Sequence, residues 1–258
     1  MVTVATIIAQ ATILVTAAIF LYRERMIRFT ALKFQPLLKS WKSILYLGLP
    51  SAAKNMVTPI SIGIITSTIA IYGPEAIAGF GIASRLESLA LIAFFALSAA
   101  IGPIVGQNWG AKQFKRVNRA FGLSLRFCLI WGVLIAIVFG FASPSLASMF
   151  NNNREVISIV GTYMAIVPIS YAATGIILVS SSTFIALGKP LPSFAMTTAQ
   201  TLLVYVPLAK LGSQLFGING IFAAACLANI IVGLIAIAWN RKTWQMAGSS
   251  NTKINQAF

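Results

Sequence analysis

The chain has no histidine, no aspartate, only four glutamates and two cysteines, and carries charge on 9% of its 258 residues. Each shortage removes a class of function. Without histidine there is no imidazole to serve as general base or metal ligand. Without clustered carboxylates a hydrolytic metal centre has nothing to bind it. Cys128 and Cys226 lie in apolar runs with no CxxC pair, so they read as buried thiols rather than a thiolate metal site or a disulfide framework. Gly79-Phe80-Gly81 is too short and too apolar to cradle phosphate, and no Walker sequence is present. No nucleophile, base and metal-ligand set converges anywhere, so neither an enzyme nor a cofactor is expected.

What the chain has instead is apolar length. Hydrophobic residues make up 58% of it, mean hydropathy is +0.88, and several runs reach the roughly 20 residues that cross a hydrocarbon core of about 30 Å. This composition predicts an all-α, polytopic membrane protein in contact with lipid. The first 21 residues lack a basic leading region and run into Arg23, Glu24 and Arg25, so they read as a retained span rather than a cleaved leader. Six more spans are expected at 44–71, 76–107, 118–142, 155–186, 191–212 and 218–239, giving seven transmembrane helices.

The net charge of +15 is the other presence. It lies between the spans, which suits the cytoplasmic ends of membrane helices and not a nucleic-acid surface. Segments 22–43, 108–119 and 187–190 and the tail carry fourteen of the 19 basic residues, while the alternate loops carry only Arg154. The positive-inside rule then sets the C-terminus in the cytoplasm and residue 1 outside a cytoplasmic (inner) membrane. Trp41, Trp109, Trp239 and Trp244 fall at expected interfaces, where amphipathic rings anchor. The expected organisation is a first helix at 1–22, a basic cytoplasmic loop at 23–43, a six-helix body at 44–240 and a disordered cytoplasmic tail at 241–258.

Several short pieces occur in a set order. They are Gly48-Leu49-Pro50-Ser51, then Arg85-Leu86-Glu87-Ser88, then Pro103-Ile104-Val105-Gly106-Gln107-Asn108-Trp109-Gly110 with the basic turn to Arg119, then Gly188-Lys189-Pro190. Together with the span lengths, this set resembles the multidrug and toxic compound extrusion (MATE) family over residues 1 to about 242. The resemblance implies secondary antiporters of twelve helices in two six-helix lobes, exporting organic cations or amphipathic compounds in exchange for Na+ or H+. By that comparison residues 1–21 are similar to the sixth helix and 44–239 to helices seven to twelve.

The first five helices of that pattern have no counterpart here, and alternating access needs one bundle moving against another. The expectation is therefore a partial transporter. It is either a truncated product or fragment, or one chain that assembles with a separate polypeptide supplying the N-terminal lobe. A lipid-linked oligosaccharide flippase of related plan, and a membrane fragment without autonomous transport, are the alternatives.

Glu87 is the one acidic residue well inside an apolar run, where a carboxylate must be paired, protonated or wet. It is a candidate for the coupling ion, or else a structural partner of Arg85 or Lys54. Arg85 sits toward the outer part of its span and either reaches the interface or turns inward. Lys54 either snorkels to the cytoplasmic interface or lines a cavity with its neighbour Asn55. Tyr163, Tyr171, Thr174 and Ser180 to Thr183 are the polar groups of the helix similar to the family's tenth, which lacks the acidic residue that some relatives carry there. Gln200, with Thr197 and Thr198, adds polar surface to the span after it. Pro59 and Pro168 are hinge candidates, because each removes a helical donor near polar residues. Gly102 and Gly106 around Pro103 form a small-xxx-small face suited to close helix contact.

Overall fold

The computed structural model of the chain describes residues 2–24 and 34–255. The middle of the expected basic loop, residues 25–33, lies outside the described residues. The helices are α1 (Val2–Arg23), α2 (Phe34–Ile69), α3 (Pro74–Ala90), α4 (Ile92–Gly110), α5 (Phe114–Ser148), α6 (Arg154–Ile166), α7 (Tyr171–Ala186), α8 (Pro190–Thr198) and α9 (Val206–Asn255). Short 3₁₀ turns at Ala70–Tyr72 and Val167–Ser170 and a π-helical segment at Ala199–Tyr205 complete the list. The chain divides into two compact units, with the boundary inside α2 between Leu45 and Tyr46. Most of α2 and every later helix belong to the second unit.

Three expectations change. α2 begins at Phe34, ten residues before the expected span, so half of the expected loop is helix. α9 continues to Asn255, so most of the tail expected to be disordered is helical. Finally, six stretches of the described residues are long and apolar enough to cross a membrane. The last of these, Pro190–Thr243, runs for 54 residues and leaves helical geometry at Gly217, with φ +61°. It is long enough for two passes, which is compatible with the seven expected spans.

The ends of the helices follow local chemistry. Asn153 caps α6, its side-chain oxygen accepting from the Glu155 N–H at 2.9 Å, and Glu155 adds negative charge at the positive end of the helix. α7 closes in a Schellman turn: the Gly188 N–H bonds the Ile185 carbonyl and the Lys189 N–H that of Phe184, both at 2.9 Å. Gly188 has φ +69°, and Pro190 then starts α8 at a position where its missing donor costs nothing. Gly188→Ala is expected to lower stability by about 1 kcal/mol, since the left-handed region crowds a Cβ; thermal unfolding in detergent measures it.

α7 is the central helix. It packs on α4, α5, α8 and α9, and its buried face includes Gly175, Ile176, Val179, Ser180, Thr183 and Phe184. Within a bilayer apolar burial does not hold helices together, so close approach must. A Cβ at Gly132 of α5 would stand 2.6 Å from the Ala172 backbone nitrogen, and one at Gly233 of α9 would stand 2.9 Å from the Ala173 Cβ. α7 is thus clamped between two glycines. Gly102 of α4 faces the Ser182 Oγ and Gly106 the Ala186 carbonyl. Beside them Ser182 donates to the Ser98 carbonyl at 2.6 Å and Ser98 to the Leu178 carbonyl at 3.1 Å. Pro103 itself is exposed between those glycines.

Candidate functional site

α3 buries Ala76, Gly79, Ala83, Leu86 and Ala90, a single stripe of mostly small residues that lets it lie close on α6. Gly79 marks the closest approach, where an added Cβ would meet Ile159 at 2.7 Å. That closeness brings Glu87 against Tyr163 of α6. The Tyr163 hydroxyl donates to Glu87 Oε2 at 2.6 Å, a short hydrogen bond. The Tyr163 ring is fixed by edge contacts with Phe80 (6.0 Å) and Phe222 (5.0 Å). Tyr171 and Tyr205 lie within electrostatic reach of the same carboxylate. The Tyr171 hydroxyl is buried and has no hydrogen-bond partner among the described residues. A part-buried carboxylate joined to a phenol hydroxyl is an arrangement that can hold a proton or a small cation.

The bend beside this site is also secured. α3 gives way to α4 at Leu91, and Trp131 of α5 donates its indole N–H to the Ala90 carbonyl at 3.2 Å. Glu87 therefore sits one turn before a pinned bend, with its partner on a different helix from either expected one. Arg85 does not engage it: the Arg85 side chain is exposed.

Lys54 does not snorkel. Its Nζ donates to Ser181 Oγ at 2.6 Å, and Ser181 in turn shares a short hydrogen bond with Ser193 of α8. The ammonium thus ties α2 to α7 and α8 through hydroxyls. Its neighbour Asn55 is exposed, as is Pro59, and α2 runs through both Pro50 and Pro59 without leaving helical assignment.

A second polar line crosses the lobe at two departures from α-helix. Gln200, in the π-helical segment, donates through Nε2 to Asn229 Oδ1 at 2.8 Å. Asn229 of α9 donates to Ser170 Oγ at 2.9 Å, and Ser170 donates to the Val167 carbonyl at 2.8 Å. Pro168 lies inside that 3₁₀ turn, where its missing N–H breaks the helical ladder. Thr174 reaches the same place only weakly, its hydroxyl standing 3.5 Å from the Ser170 carbonyl. Asn229→Leu would leave the Gln200 amide without its partner and remove the bond that Ser170 accepts, and is expected to cost about 1–3 kcal/mol, read as a fall in the thermal midpoint of the purified protein. Sequence reasoning named Gln200 and Pro168 but missed Asn229, Ser170, Ser193 and Tyr205. The one available signal was an amide standing deep in the apolar run at 218–239.

Residues 50–211 match the family model described as MatE. The chain belongs to the MatE family. The FAD transporter of Shewanella oneidensis is 30% identical over 216 residues, covering 84% of this chain and 48% of that protein. The probable multidrug resistance protein NorM of Thermotoga maritima is 32% identical over 128 residues, 48% of this chain and 27% of that one. The solved structure of the Vibrio cholerae MATE transporter VcmN in its bent form superposes with a TM-score of 0.85 at 27% identity, over 94% of this chain and 55% of that one. The chain spans about half the length of the curated MatE relatives it matches first. MatE proteins are transporters, and the multi-pass apolar helices here are those of a membrane protein of that family.

Proposed function

We propose that this chain is the C-terminal lobe of a secondary exporter that moves an organic cation or amphipathic compound outward in exchange for Na+ or H+, working against an N-terminal lobe. The observation that carries the reading is the Glu87–Tyr163 pair, a carboxylate inside a membrane lobe held by a neutral donor instead of a cation. An acidic group so placed can take up and release a small cation as access alternates. Relatives named as a FAD transporter and as multidrug resistance proteins support an amphipathic cargo. Alternating access moves one bundle against another around a central site, so the active unit contains both lobes.

The test uses the complete transporter, purified and reconstituted into liposomes. Imposing a Na+ or proton gradient is expected to drive uphill movement of ethidium or FAD, and collapsing the gradient is expected to abolish it. Movement that ignores both gradients would end the antiport reading.

A further inference from the structure

α5 packs on α4, α6 and α7 with one side, burying Val117, Phe121, Ser124 and Cys128. Its opposite side changes character along its length. Arg119 is exposed near the start of the helix and Arg126 is exposed two turns further on. Seven residues of helix advance about 10 Å and return to within about 20° of the same face, so the two arginines form one column. Leu123 is exposed between them, and Ile130, Leu134 and Ile137 are exposed beyond. The face is cationic at one end and apolar for the rest.

Length sets the depth of that change. Residues 127–153 carry no charge. The part of α5 at 127–148 is about 33 Å long, enough to cross a hydrocarbon core of about 30 Å alone. Arg126 therefore stands where the core ends, and Arg119 lies at headgroup level or just outside it. Side chains on a helix lean toward its N-terminus, which here is the basic end, so Arg126 leans back toward Arg119 and away from the acyl chains. No carboxylate competes for either guanidinium. The second compact unit holds three acidic residues, Glu75, Glu87 and Glu155. Glu75 opens α3 and Glu155 follows the far end of α5, each a full span from the α4–α5 turn. Glu87 accepts from Tyr163.

We propose that this face of α5 is a binding site for an anionic phospholipid, its phosphate held between Arg119 and Arg126 and its acyl chains lying along Leu123, Ile130, Leu134 and Ile137. The occupant follows from complementarity, since a charged end followed by an apolar length is the pattern of the lipid itself, with the sign of the charge reversed. A guanidinium's planar fork matches phosphate oxygens two at a time. A zwitterionic lipid carries its own cation beside the phosphate and offers the column no net charge, so phosphatidylglycerol is preferred over phosphatidylcholine. The site depends on neither the cargo nor the coupling ion.

Photoactivatable phosphatidylglycerol and photoactivatable phosphatidylcholine test this, each supplied in nanodiscs that hold the complete transporter, with the crosslinks mapped by mass spectrometry. In the wild type, phosphatidylglycerol is expected to label residues 119–137 more heavily than phosphatidylcholine does at equal mole fraction. Arg119→Gln and Arg126→Gln are each expected to lower that labelling about fivefold, the value of one basic side chain facing an anionic lipid. Phosphatidylcholine labelling should not change. Equal labelling of 119–137 by the two lipids in the wild type overturns the site, because the face is then covered by bulk lipid. Absence of lipid label there also overturns it, because the face is then covered by protein. Phosphatidylglycerol labelling that survives both substitutions removes the arginines from the assignment and overturns it as well. If the substituted proteins are not recovered, the ratio of the two lipids on the wild type decides.

Discussion

Glu87→Gln in the complete transporter is expected to leave a folded protein whose cargo movement no longer responds to the ion gradient. Glutamine keeps the length of the side chain, and its amide oxygen can still accept from the Tyr163 hydroxyl, so the α3–α6 contact survives. It loses the ability to change charge. A coupled site links two binding events by about 1–3 kcal/mol, so accumulation against a gradient should fall about 5- to 150-fold, while downhill exchange continues. Tyr163→Phe separates coupling from packing. The ring stays between Phe80 and Phe222, but the donor that occupies Oε2 is gone. An ion no longer competes with that bond, and the cation concentration for half-maximal efflux should drop about tenfold, the value of one hydrogen bond. Measured together, uphill accumulation and the cation titration give each variant a distinct signature. Normal gradient-driven accumulation by Glu87→Gln would remove the carboxylate from the coupling role and leave Tyr163 a packing residue.

The membrane spans were legible in the sequence because depth in a bilayer is set by apolar length and by where lysine and arginine stop it. Gly188-Lys189-Pro190 was equally legible, since a glycine followed by proline leaves the backbone few choices. Rotation about each helix axis was not. Hydropathy places Glu87 and Lys54 inside their spans but does not say which neighbour each meets. Glu87 meets a tyrosine 76 residues away, and Lys54 a serine 127 residues away. Those pairings depend on how closely helices approach, and the approach depends on Gly79, Gly132 and Gly233, which look alike in sequence to glycines with open space beside them, such as Gly122 and Gly140. The π-helical segment around Gln200 was hidden for a related reason. Nothing in Ala199–Tyr205 breaks a helix, and the departure accompanies the Gln200–Asn229 bond between two elements far apart in the chain. The tail was misread because its polar composition suits a solvated helix as well as a disordered strand of chain.

Gly220→Ala should be the most damaging single-methyl change in the lobe. At the tip where α9 turns, Gly217 takes a positive φ, and the two arms pass so close that a Cβ on Gly220 would overlap the Gly212 carbonyl, while one on Gly212 would overlap the Gly220 carbonyl. The obstructing atoms are main chain, so no rotamer change relieves the overlap and the arms must separate. Tyr72 resists that separation, since its hydroxyl donates to the Ser213 carbonyl at 2.9 Å. Overpacking of this kind costs about 3 kcal/mol or more. Gly122→Ala is the control, because nothing lies within 4 Å of its added Cβ, and it should change stability by no more than about 1 kcal/mol, in the favourable direction. The expected result is a much lower thermal midpoint and poor recovery from detergent for Gly220→Ala beside a normal Gly122→Ala. The damage should also reach the proposed ion site at Glu87. Phe222, two residues beyond Gly220, is one of the rings that hold Tyr163, so an arm displaced at the tip loosens the hydroxyl that holds Glu87. Any Gly220→Ala protein that survives purification should therefore bind the coupling cation with altered affinity, although no atom of the site has been changed. Equal stability of the two alanine variants would mean that the arms do not meet at Gly212 and Gly220.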